Sequence, residues 1–143
     1  MIHNDDIERS AFLERLFDAD CDTKLLSPLT LAFIGDGVFE LFVRERLVCK
    51  GNCPVNSLHK SSVTQVCCSA QAKASQKLLP ILTEDETDVY KRGRNAHTNH
   101  VPKNSSVADY HAATAFEALF GYVYLTGKID RLRELFDLMC DNA

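Results

Sequence analysis

An all-α fold is predicted for this chain by three observations. Apolar residues recur at helical spacing through most of its 143 residues. Ser, Thr and Asp stand at the heads of these stretches, and Gly or Pro at their ends, as in a series of short helices. No run alternates apolar and polar residues over a strand's length, and no repeat or low-complexity tract intervenes. Hydrophobic residues at 45% and charged residues at 25% give the balance of a soluble globular domain and exclude disorder as the main description. The length suits one domain of six to eight helices around one sizeable core.

Ile7, Ala11, Phe12 and Leu16 form an apolar stripe, so residues 1–24 are expected to be an acidic N-terminal helix or extension before the main domain, 25–143. Ser27-Pro28 is an N-cap followed by proline at the first helical position. The helix it opens is expected to run to about Lys50 and stop at Gly51. Asn56-Ser57 starts a third helix and Ser69 a fourth, ending near Pro80. Thr83-Glu84-Asp85-Glu86 is a capping box, with acids where the helix dipole favours them. Its helix ends near Asn95. The stretch 96–104 reads as a polar loop. Ser105 or Ser106 caps the next helix, which stops at Gly127, and Asp130 caps a last one to about Cys140.

Charge is unevenly spread. Residues 1–22 hold seven acids against two bases, more than the whole net charge of −4. Arg46, Lys50, Lys60, Lys73 and Lys77 lie in an acid-free stretch between Glu45 and Glu84. A second such stretch, 89–108, holds Lys91, Arg92, Arg94 and Lys103 with His97 and His100. These blocks read either as a local phosphate-binding surface or as ordinary solvated faces. No apolar run approaches the ~20 residues needed to cross a bilayer, and the start MIHNDDIERS lacks a signal pattern. A cytoplasmic protein with no membrane partner is expected. Cys21, Cys49, Cys53, Cys67, Cys68 and Cys140 lack paired metal-ligand spacing, so reduced cysteines serving mostly as packing residues are expected. Cys67 and Cys68 are placed on one helix, directed apart.

Two carboxylates stand out. Asp36 lies in the apolar stretch 31–43 between Gly35 and Gly37, and a mid-helix glycine costs about 1 kcal/mol against alanine. Such a cost makes sense where something approaches the backbone closely. A buried carboxylate needs a cation, a base or hydrogen-bond donors. Glu117 is the lone acid of the apolar stretch 110–122, with small Ala113, Thr114 and Gly121 a turn away. Close packing of the two helices would bring the acids together, in a donor set suited to Mg²⁺. The alternative is that each pairs separately with an arginine or caps a loop. Glu40 either extends the acidic site as an outer group or pairs with Arg44. Asp109 reads as a helix-start residue. Phe39, Phe42 and Val43 are candidates for a subunit interface or for the core.

Phe33-Ile-Gly-Asp-Gly-Val-Phe-Glu-Leu resembles the F-L-G-D-x-V-L-E-L core of the ribonuclease III catalytic-domain family. Thr114-Ala-Phe-Glu-Ala-Leu-Phe-Gly resembles its second acidic helix, D-x-x-E-A-L-I-G. Arg92-Gly-Arg-Asn-Ala, Val101-Pro-Lys-Asn, Tyr110, Leu58-His59 and Ala70-Gln-Ala-Lys73 are similar in order and spacing to the short Mini-ribonuclease III branch, which lacks a double-stranded-RNA-binding domain. The likeness spans roughly 25–140, and the chain ends about where a catalytic domain ends. Leu29, Ala32 and Thr114 stand where the broad family has carboxylates. The resemblance implies a magnesium-dependent endonuclease of double-stranded RNA acting in maturation of large-subunit (23S) ribosomal RNA. Asp36 and Glu117 are its implied metal-holding catalytic residues. A homodimer is implied, because one site per subunit does not easily cut both strands, and a ribosomal protein is a candidate partner. Lys60, Lys73, Lys77, Arg92, Arg94, His97, His100 and Lys103 become candidate RNA contacts. His59 reads equally as an RNA contact or a cap, and the role of Thr114 stays open. Two other readings remain: a non-catalytic RNA-binding module of the same fold, motivated by the missing carboxylates, and an all-α metal-dependent nucleotide phosphohydrolase.

Overall fold

Among the described residues the chain forms six α-helices: α1 (Pro28–Cys49), α2 (Val55–Val66), α3 (Cys68–Leu78), α4 (Glu84–Arg94), α5 (Val107–Leu125) and α6 (Ile129–Cys140). Short 3₁₀ turns lie at Thr23–Leu25 and Leu79–Ile81. The computed structural model describes residues 14–96, 101, 103 and 105–140, and no strand occurs among them. None of these helices is long and apolar enough to cross a membrane.

Three helices begin on the expected side-chain caps. Ser27 Oγ accepts from the Thr30 amide at 3.2 Å, and Ser106 Oγ from the Asp109 amide at 3.0 Å. Thr83 and Glu86 close a reciprocal capping box. Gly51 and Gly127 take positive φ (142° and 73°) where α1 and α5 stop, a conformation that costs glycine least.

Elsewhere the expected boundaries move. Residues 14–22 are not helical, and the rest of the N-terminal stripe lies outside the described residues. Following Pro54, α2 starts at Val55 without a side-chain cap. Cys67 is extended (φ −68°, ψ 157°) between α2 and α3, so it does not share a helix with Cys68. Asp130 sits inside the first turn of α6 rather than capping it. The cysteines are free as expected, but none is buried, so they are not core packing residues.

Helix α5 is the central element, packed against α1, α3 and α4. Phe39, Phe116, Phe120 and Phe136 form an aromatic cluster, with Phe39 and Phe116 edge-on at 5.0 Å and Phe120 and Phe136 stacked at 4.8 Å. Phe39 and Val43 belong to this core, and Phe42 stacks on Phe136. Phe39 and Val43 are therefore core residues, because their face of α1 is the one turned to α5 and α6, while Phe42 is only partly buried at its edge. The exposed apolar side of α1 is the opposite one, where Phe33 is 83% and Leu41 57% exposed. Beside them runs a groove of about 590 Å³, lined by Ile34, Gly37, Val38, Leu41, Phe42 and Phe136 among others.

Buried and half-buried polar ties join the helices around α5. Arg131 of α6 forks onto Glu86 of α4, Nε to Oε2 at 2.9 Å and Nη2 to Oε1 at 2.7 Å. The same guanidinium also donates to the Ile81 carbonyl. Tyr90 donates to Ser75 at 3.2 Å, linking α4 to α3.

Candidate active site

Helices α1 and α5 meet backbone to backbone. A β-carbon at Gly35 would overlap the carbonyl of Glu117, and one at Gly121 would overlap the carbonyl of Leu31. This contact sets Asp36, the residue after Gly35, beside Glu117. The two acids that break the apolar patterns of their helices thus share one site. Gly37 is different: nothing lies within 4 Å of where its β-carbon would stand, so no close approach within the chain explains it.

The site is electrostatically costly as it stands. Burial and then the negative charge of Asp36 push the Glu117 carboxyl up to about 8. Burial, followed by the charge of Glu40, raises Asp36. Glu40 itself pairs with Arg44 at 2.7 Å, the i, i+4 contact weighed above, while its charge is also felt at Asp36. The ion-pair reading of Glu40 therefore holds. Thr114, at the position of a missing carboxylate, turns its hydroxyl back to the Tyr110 carbonyl at 3.0 Å.

A hard divalent cation fits this pair. Among the described residues no group of three His, Cys, Asp or Glu side chains could hold a metal. Two carboxylates leave most of an octahedron to water, the arrangement that Mg²⁺ tolerates best. Their mutual repulsion is what a cation between them would relieve. Glu117 also adjoins a buried amide, that of Gln71, whose oxygen and nitrogen lack full hydrogen-bond partners.

The basic candidates are spread over several elements. Lys60 is exposed on α2, Lys73 on α3, Arg92 and Arg94 on the last turns of α4, and Lys103 near the start of α5. Lys77 donates to the Met139 carbonyl of α6 at 3.1 Å. His97 and His100 lie outside the described residues. His59 is exposed on α2. Asp109 lies in the first turn of α5, where Ser106 provides the cap.

Sequence reasoning missed Gln71 as a site residue. Its signal was available: Gln71, Ser75 and Leu78 recur at helical spacing, so a long polar side chain sits in an inward-facing position of α3. The exposure of Phe33 had no such signal, because both faces of α1 are apolar.

A model of the Ribonuclease III domain matches residues 29–128. The chain is 47% identical to a Mini-ribonuclease 3 of Thermoanaerobacter sp. (strain X514), over 79% of this chain and 80% of that protein. It is 48% identical to a Mini-ribonuclease 3 of Symbiobacterium thermophilum, over 81% of this chain and 89% of the relative. In structure it is similar to protein FN1578 from Fusobacterium nucleatum, with a TM-score of 0.78 at 27% identity, covering 85% of this chain and 94% of the other.

Proposed function

The chain belongs to the ribonuclease III family of endoribonucleases, and on that premise we propose that it is a Mg²⁺-dependent enzyme hydrolysing double-stranded RNA. The observation that carries this reading is the meeting of Asp36 and Glu117 across the glycine contact of α1 and α5. The proposed substrate is a precursor of large-subunit (23S) ribosomal RNA, the compartment the cytoplasm, and the catalytic domain residues 25–143, with 1–24 an extension.

Asp36 and Glu117 would hold the ion, with Glu40 adding negative charge from the next turn. Bound there, Mg²⁺ would lower the pKa of a coordinated water and neutralise charge on the scissile phosphate and leaving oxygen. The hydrolysis leaves a 5′-phosphate and a 3′-hydroxyl. The carboxylates anchor the reacting centre, and the packed backbones of α1 and α5 keep their spacing rigid. Lys60, Lys73, Lys77, Arg92, Arg94, His97, His100 and Lys103 are the proposed contacts to RNA, made chiefly to phosphates and 2′-hydroxyls. Affinity should then fall steeply with salt.

A homodimer completes the reading, since two symmetric sites cut two strands. Its proposed interface is the exposed side of α1, where Phe33 and Leu41 are exposed, Leu41 lines the apolar groove and Gly37 leaves room for a second backbone. A ribosomal protein is a further candidate partner on the RNA.

The test is cleavage of a long RNA duplex by wild type and by Asp36→Asn, each with Mg²⁺ and with EDTA. Cleavage by wild type in Mg²⁺ alone is expected. Binding without cleavage under all four conditions would replace this reading with a non-cutting RNA-binding module. Turnover of nucleoside triphosphates with duplex untouched would replace it with a phosphohydrolase.

A further inference from the structure

Gln71 is 1% exposed, yet neither its amide nitrogen nor its carbonyl oxygen completes a hydrogen bond. Buried amides without partners are costly and uncommon in folded proteins. One turn further along α3, Ser75 is equally buried but fully engaged, donating to the Ala72 carbonyl and accepting from Tyr90. The unsatisfied end of Gln71 adjoins Glu117 without completing a hydrogen bond to it.

We propose that Gln71 is a positioning residue for the acidic pair: its Nε2 donates to the Glu117 carboxylate, and its Oε1 accepts from a water held in the site. The amide then fixes which carboxylate oxygen is presented toward Asp36. Both atoms gain partners only when the site is loaded, which accounts for a polar group kept in an otherwise inward-facing stripe. This assignment rests on the Mg²⁺ reading above.

The chain has three glutamines, Gln65, Gln71 and Gln76, so a protein labelled with ¹⁵N-glutamine gives three side-chain amide pairs. Titration with MgCl₂ alone, followed by NMR and in parallel by calorimetry, is expected to move the Gln71 pair along the calorimetric saturation curve. In Asp36→Asn the pair should stay still. Gln71→Met, which keeps length and drops both polar atoms, should remain folded and bind Mg²⁺ at least fivefold more weakly. Should that variant fail to fold, the wild-type titration decides alone. Normal Mg²⁺ binding with an unmoved Gln71 pair would overturn the proposal and leave an ordinary core amide, as would wild-type affinity in a folded Gln71→Met. Absence of any Mg²⁺ binding by wild type would overturn the metal reading itself and this assignment with it.

Discussion

Gly35 rests directly on the backbone of Glu117, leaving no room for a methyl group between α1 and α5. The obstacle is a carbonyl, not a flexible side chain, so it cannot step aside. Gly35→Ala gains about 1 kcal/mol of helix propensity but must part the two central helices, and overpacking of this kind costs about 1–3 kcal/mol or more. The expected result is a lower urea midpoint and a loss of duplex cleavage of tenfold or more, because the helix separation also parts the acids. A variant as stable and active as wild type would show that the contact does not set the site.

Glu86 and Arg131 form the second constraint. Burial alone would raise Glu86, but the Arg131 fork and the Thr83 amide outweigh it and hold its carboxyl below 4.5. The folded value is depressed, so the stabilisation is present above the unfolded value of 4.5 and is lost as pH falls through the folded one. Arg131→Met leaves this carboxylate buried without its cation, a change that costs about 3–5 kcal/mol when a buried pair is broken. Urea denaturation at pH 7 should detect the loss. As pH falls below 4.5 the gap between variant and wild type should narrow, and a constant gap would mean that packing, not charge, is what Arg131 contributes.

Much of this architecture was legible from residue types with strong local meaning. Thr83 with Glu86, Ser27 with Pro28, and Gly127 each encode their own cap or stop, so those boundaries needed no tertiary information. Asp36 and Glu117 were legible as a pair because each is a lone acid in an apolar helix flanked by small residues. What stayed open was orientation. Phe39 and Val43 were candidates for an interface or for the core, because α1 is apolar on two faces and periodicity does not say which of them meets α5. Ser69 marks a new helix in the sequence, but the break falls two residues earlier, at the extended Cys67, which carries no capping signal of its own. Gln71 was passed over because a single buried amide differs from a surface one only in its neighbours across the core.

The exposed side of α1 makes its own prediction. Phe33 is 83% exposed in the single chain, a large apolar area for water to cover. Phe33→Asp should leave the core untouched, since the side chain contributes nothing to it. Sedimentation equilibrium at micromolar concentration is expected to give twice 16.0 kDa for wild type and 16.0 kDa for the variant. The variant should retain its helical circular dichroism, and cleavage should shift from both strands to one or cease. A wild type that stays at 16.0 kDa would remove the dimer from the proposed mechanism.

The Glu117 shift ties metal binding to protons. Its folded pKa is raised from 4.5 to about 8, so the free protein gains stability from this group below pH 4.5 and loses it as pH rises through about 8. Without Mg²⁺, thermal stability should therefore decline between pH 5 and 8, and Glu117→Gln should remove that decline. At pH 7 most molecules carry the proton, and a cation that needs the carboxylate must displace it. Calorimetry of Mg²⁺ binding at pH 7, in buffers of different ionisation enthalpy, should report release of most of one proton. The release should fade toward zero above pH 9, where Glu117 is already ionised. Mg²⁺ should in turn raise the melting temperature most at the alkaline end, where it relieves the repulsion between Glu117 and Asp36. Binding heats at pH 7 that do not depend on the buffer would mean that the ion does not engage Glu117.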